Sequence, residues 1–122
     1  MGYILVIYDN KRDLEKIRLL FTVFGYNIKA FSSWEEARCL FDEDLSCDLA
    51  ITKVKMREAN GNDIAYYIKN SQKAKIPILA IGNAEDNIFR DLFTSVLIKP
   101  FKLKVLRENV ASFLPPPISS VR

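Results

Sequence analysis

Apolar residues along this chain gather into five short runs, each stopped abruptly by polar or turn-forming residues. Tyr3–Tyr8 (YILVIY) stops at Asp9-Asn10-Lys11, and Tyr26–Phe31 (YNIKAF) stops at Ser32-Ser33. Leu49–Thr52 ends on Lys53, Ile76–Ile81 (IPILAI) on Gly82-Asn83, and Ser95–Ile98 (SVLI) on Lys99-Pro100. Runs of this length, rich in β-branched residues and lacking alternation, predict strands buried on both faces of a parallel sheet. The second run alternates and predicts a more exposed strand. Pro77 sits near the start of its strand, where a lost donor is tolerated.

Between these runs the apolar period changes to that of a helix. Leu14, Ile17, Leu19, Leu20, Phe21 and Phe24 follow Asn10, a capping residue, and precede Gly25, which stands where a C′ glycine belongs. Ser32 or Ser33 with Glu35 and Glu36 predicts a second helix start, running through Ala37, Leu40 and Phe41 to about Leu45. A third helix follows Gly61, with Ile64, Ala65, Tyr67 and Ile68 inward. Ala84–Phe93 predicts only a short helix. The last helix carries Leu103, Leu106, Val110, Phe113 and Leu114 and is ended by Pro115-Pro116-Pro117. Val54–Asn60 reads as a loop closing on Asn60-Gly61, a dipeptide tolerant of positive φ.

Five strands alternating with five helices imply right-handed βαβ crossovers. The expected architecture is α/β: a three-layer, doubly wound, five-stranded parallel sheet in the flavodoxin-like order 2-1-3-4-5. Residues 1–114 form the domain, and 115–122 a proline-rich tail or interdomain linker. In this order the ligand crevice opens between the first and third strands, which brings Tyr8, Asp9 and Lys53 together.

Composition narrows the chemistry. A chain of 122 residues, 49% of them apolar, fits one core. Its 18 Lys and Arg against 15 Asp and Glu are too slight an excess to imply nucleic acid. Histidine is absent, and Cys39 and Cys47 lack a metal-ligand spacing, so neither a zinc site nor a Ser-His pair is expected. No glycine-rich phosphate loop is present. The first apolar run is too short for a signal or an anchor, and reduced thiols fit a cytoplasmic protein. No cofactor is expected.

The order ILVIYDN, FGYNIKAFSSWEEA, DLAITKVKMREANG, IPILAI and LIKPF resembles the receiver domain of two-component response regulators (CheY-like) over nearly the whole chain. The resemblance implies a signalling module in which an aspartate ending the third strand accepts a phosphoryl group. It further implies an acidic pair binding magnesium after the first strand, a Thr or Ser ending the fourth strand, and a lysine after the fifth. Laid onto this chain, the phosphoacceptor position falls on Lys53 and the acidic pair on Tyr8 and Asp9. The Thr or Ser position falls on Gly82 and the switch aromatic on Val96, leaving Asp9 and Lys99 as the remnant of the site. The Gly82–Lys99 segment is also shorter than the family's.

An ammonium cannot form an aspartyl-phosphate, and one carboxylate beside two lysines is a poor magnesium cage. The expectation is therefore a pseudo-receiver with no metal and no catalysis, working through a protein partner, an effector or regulatory domain of the same full-length chain or a second copy. No direct nucleic-acid or membrane contact is expected. Lys53 either pairs with Asp9, with Lys99 competing for the same carboxylate, or snorkels into solvent. Ile88, Phe89, Leu92 and Phe93 are candidates for an interaction face or for core. An alternative assigns Lys55, Arg57, Lys102 and Lys104, with Lys53 and Lys99, to a basic rim for an anionic ligand or acidic partner, against a plain solvated face. A remote alternative makes Lys53 an amine nucleophile toward a carbonyl.

Overall fold

The computed structural model describes residues 2–117; residues 118–122 of the proline-rich tail lie outside the described residues. Five strands form one parallel sheet in the order β2-β1-β3-β4-β5. The strands are β1 (Tyr3–Ile7), β2 (Ile28–Phe31), β3 (Cys47–Lys53), β4 (Ile78–Gly82) and β5 (Ser95–Ile98). Four α-helices connect and close them: α1 (Lys11–Val23), α2 (Trp34–Glu43), α3 (Gly61–Lys69) and α4 (Leu103–Phe113).

The pleat sorts side chains into two cores. Ile4, Val6, Tyr8, Leu49, Ile51, Leu79 and Ile81 face α1 and α4, where they meet Leu14, Ile17, Phe21, Leu106 and Val110. Leu5, Ile7, Ala50, Ile78 and Ala80 face α2 and α3, against Phe41, Ile64 and Ile68. Both faces of the central strands are therefore apolar, which is why their sequences read as unbroken hydrophobic runs. Lys53 follows Leu49 and Ile51 in parity, and Lys99 follows Leu97. Both leave the sheet on the α1/α4 face, the side that holds Tyr8.

Local signals end the elements as expected, with one change of reason. Asn10 Oδ1 accepts from the Asp13 amide and Ser33 Oγ from the Glu36 amide. At the end of α1, Gly25 has φ 87°; its amide donates to Thr22 O and that of Tyr26 to Phe21 O, while the Phe21 and Tyr26 rings meet edge-on at 5.6 Å. This is a Schellman stop with its hydrophobic contact. Gly61, by contrast, does not take a positive φ. It is required by closeness: its amide donates to Val54 O at 2.7 Å, and a Cβ there would lie 2.6 Å from Lys53 O.

The fourth crossover departs from the expected five helices. Between β4 and β5 the chain makes only a 3-10 turn at Arg90–Leu92. Asn62, buried at the start of α3, donates from Nδ2 to Asn87 O at 2.8 Å and accepts from the Phe89 amide at 2.9 Å. Those two bonds hold the segment extended across α3 and use backbone groups that a helix would have paired internally. β3 also begins two residues earlier than its apolar run, at Cys47, whose thiol is pushed up to about 11 by burial.

Replacing Gly61 by Ala should lower the urea midpoint by the equivalent of about 1–3 kcal/mol, because the added methyl meets backbone at the mouth of the sheet and not a side chain that can move. An unchanged midpoint would show that the loop gives way freely.

Candidate functional site

At the carboxyl edge of the sheet the end of β1 and the end of β3 lie side by side, with Ile7 paired to Thr52. Lys53 Nζ donates to Asp9 Oδ1 at 3.1 Å, the two side chains being 20% and 23% exposed. The other carboxylate oxygen, Oδ2, accepts the backbone amide of Arg57 at 3.0 Å. Asp9 thus joins β1 to β3 and also pins the loop that leaves β3. Burial pushes its carboxyl up, but the Lys53 ammonium and the Arg57 amide outweigh that and hold it below the usual carboxylate range.

Tyr8 packs beneath the pair. Its ring centroid is 5.3 Å from Lys53 Nζ and 4.9 Å from Lys99 Nζ, so two ammonium groups share one aromatic ring. Its hydroxyl is raised to about 12, first by burial and then by Asp13, with Lys53 opposing. Lys99 does not compete for Asp9. Its ammonium lies 3.8 Å from Asp13 Oδ2, because Asp13 is in the first turn of α1, on the helix that covers this face of the sheet. The strand-end cluster therefore divides into two pairs, Lys53–Asp9 and Lys99–Asp13, across the Tyr8 ring.

Gly82 ends β4, and a side chain there would be crowded by two side-chain ends: a Cβ would lie 3.0 Å from Ile88 Cδ1 and 3.1 Å from Asp86 Oδ2. Val96, in β5, packs half-buried against the α2/α3 core. Of the four candidates for an interaction face, Phe93 is buried and Ile88 and Leu92 pack against the same core. Phe89 alone stays exposed, at 54%. Of the two alternatives for these residues, core packing therefore takes Ile88, Leu92 and Phe93, and Phe89 remains the candidate contact.

Lys55, Arg57, Lys102 and Lys104 are all exposed, and among the described residues none has a carboxylate within 4.0 Å. Arg57 nevertheless takes part in the site through its backbone, a role without side-chain signature in the sequence. Asp13 and Asn62 were missed as well; the spacing of Asp13 four residues beyond Asp9, inside a helix capped by Asn10, was the available clue to the first.

The donor set does not suit a divalent cation. Both oxygens of Asp9 are occupied by protein donors, its neighbour in sequence is a phenol, and an ammonium lies 3.1 Å away. Among the described residues no three Asp, Glu, Cys or His side chains converge as a metal cluster. Nor does a nucleophile's surrounding appear at Lys53: the one group hydrogen-bonded to its ammonium is Asp9.

A response regulator receiver domain protein from Clostridium thermocellum superposes with a TM-score of 0.82 at 25% identity, over 92% of this chain and 93% of its own. The fold is that of response-regulator receiver domains. The chemotaxis response regulator CheY4 of Vibrio cholerae matches with a TM-score of 0.81 at 19% identity, covering 93% and 99%. The regulator TrrA of Thermotoga maritima, solved in complex with Mg(2+)-BeF, matches at 0.79 and 24%, covering 93% and 100%. No family model and no curated protein sequence matches this chain. Against the receiver fold, the strand-end constellation here is an ammonium–carboxylate pair roofed over a tyrosine.

The receiver-like site carries a pH signature. Asp9 has a depressed folded-state pKa, so its contribution is full above the unfolded value of about 3.9 and is lost as pH falls through the folded value. The urea midpoint of Asp9→Asn should therefore fall less steeply than that of the unsubstituted chain on acidification below about pH 4, and near neutrality the substitution should cost on the order of 1 kcal/mol. Parallel midpoint-against-pH curves would contradict the pairing.

Proposed function

We infer that this is a pseudo-receiver: a receiver-fold domain that is not phosphorylated on aspartate and signals through protein contacts. The observation that carries this reading is Lys53 Nζ at the end of β3, 3.1 Å from Asp9 Oδ1. A receiver switches when a phosphoryl group, made on a carboxylate and neutralised by a metal, draws neighbouring groups toward it. Here a covalently attached cation sits against the remaining carboxylate, and neither the acceptor nor the metal cage is formed. Gly82 supplies no hydroxyl, and the end of the Ile88 side chain crowds the position. A switch of that kind has no moving charge to respond to.

The protein is not an enzyme on this reading and carries no cofactor. Its partner is a protein: an effector or regulatory domain, such as a transcription regulator's output domain, or a second copy of the chain. Phe89, exposed at the 3-10 turn, is a candidate contact. A cytoplasmic setting fits a phosphorelay-type module, and among the described residues no helix is long and apolar enough to cross a membrane.

Incubation with acetyl phosphate and magnesium should add no mass, and beryllofluoride with magnesium should leave the backbone amide resonances of Asp9, Lys53, Gly82 and Lys99 in place. A stable adduct, or strong shifts centred on these strand ends, would overturn the reading.

A further inference from the structure

We propose that the groove beside the Lys53–Asp9 pair binds a small aromatic anion, a flat ring bearing a single phosphate or carboxylate group. The loops leaving β1, β2 and β3 enclose an open groove of about 920 Å³ at the carboxyl edge of the sheet. That is the volume of a small-molecule site, at the edge where parallel α/β sheets collect ligands.

Its chemistry comes from three sides. Trp34 and Arg38 stand one turn apart on α2, Lys11 opens α1, and Met56 and Arg57 come from the loop after β3. Trp34 is held edge-on by Tyr67 at 5.5 Å, and the Arg38 guanidinium lies 5.9 Å from the centroid of that same Tyr67 ring. An indole and a guanidinium thus share one aromatic support, which limits the side-chain freedom they lose on meeting a ligand. Across the groove, the Arg57 backbone is fixed by its bond to Asp9. The indole and the Met56 thioether offer the apolar wall that a flat ring prefers.

The charges select how anionic the ligand is. Lys11, Arg38 and Arg57 face Glu35 and Glu58 around the groove, and among the described residues none of the five has an ion-pair partner within 4.0 Å. Asp9 also lines the groove, but Lys53 balances it. One unmatched positive charge remains, which suits one anionic group and disfavours a polyanion. The inference rests on the Lys53–Asp9 pairing, since an unpaired Asp9 would cancel that excess. It does not depend on whether the domain can be phosphorylated.

Trp34 is the only tryptophan in the chain, so its fluorescence reports on the groove directly. The full chain is titrated at fixed ionic strength with phenyl phosphate, benzoate, adenosine monophosphate and inorganic phosphate. A saturable change in Trp34 emission is expected with at least one aromatic anion, at concentrations where inorganic phosphate has no effect. Arg38→Ala and Arg57→Ala should each weaken it about tenfold, the equivalent of one charge-assisted hydrogen bond. Lys75→Ala, an exposed lysine outside the groove lining, should leave the titration unchanged. Arg57→Ala keeps the backbone amide that Asp9 binds, so its folding is not at issue, and circular dichroism checks Arg38→Ala. The proposal is overturned if no aromatic anion gives saturation, if inorganic phosphate binds equally well, or if Arg57→Ala titrates like the unsubstituted chain. The mass measurement with acetyl phosphate reads a different event, so either inference can fail alone.

Discussion

Asp9 accepts a hydrogen bond from an ammonium on the neighbouring strand and another from a backbone amide four residues beyond that ammonium. One carboxylate therefore sets both the contact between the ends of β1 and β3 and the path of the loop that leaves the sheet. Both partners reach it because parallel pairing places Ile7 opposite Thr52, so Asp9, two residues beyond Ile7, and Lys53, one beyond Thr52, emerge at the same edge. An ion pair that is about one-fifth exposed adds little net stability, since desolvation consumes much of the Coulomb attraction. Its effect is on geometry: it takes one carboxylate oxygen of Asp9 while the Arg57 amide takes the other.

The surrounding substitutions agree with that arrangement. Tyr8 places its ring beside both lysines, and the ring accepts the two ammonium groups on its π-system. At the end of β4, the absent Cβ of Gly82 leaves room into which the end of the Ile88 side chain leans from the crossover. Asn62 then holds the crossover against α3 by two hydrogen bonds from one buried amide. Side chains from separate elements thus meet one another at the strand-end edge, Lys53 with Asp9, Lys99 with Asp13 and Gly82 with Ile88.

Closing that edge shifts the accessible chemistry sideways. The groove over β1 and β2 keeps its cations unpaired while the central site has its own internally matched. A fold whose strand ends usually carry the chemistry would thus retain a concave, weakly cationic surface next to a neutralised one. The distinction between the two surfaces lies in pairing and not in composition, since each contains lysine or arginine beside carboxylates.

Much of this architecture was legible along the chain because its determinants are local. Two-faced burial of the central strands makes their sequences continuously apolar, Asn10 and Ser33 cap helices by bonds spanning three residues, and Gly25 ends α1 through its own φ. Strand order and the arrival of Asp9 and Lys53 at one sheet edge follow from the same logic of alternating strands and helices, whereas their hydrogen bond does not. What needed the tertiary structure were choices among partners distant in sequence. Lys99 selects Asp13 over Asp9, Asn62 reaches 25 residues ahead to unmake a helix, and Gly61 is demanded by the carbonyl of Lys53, not by its own backbone angle. Such choices depend on distances of a few ångströms across the sheet edge, where electrostatic and steric energies change steeply, and the order of residues along the chain carries no measure of those distances.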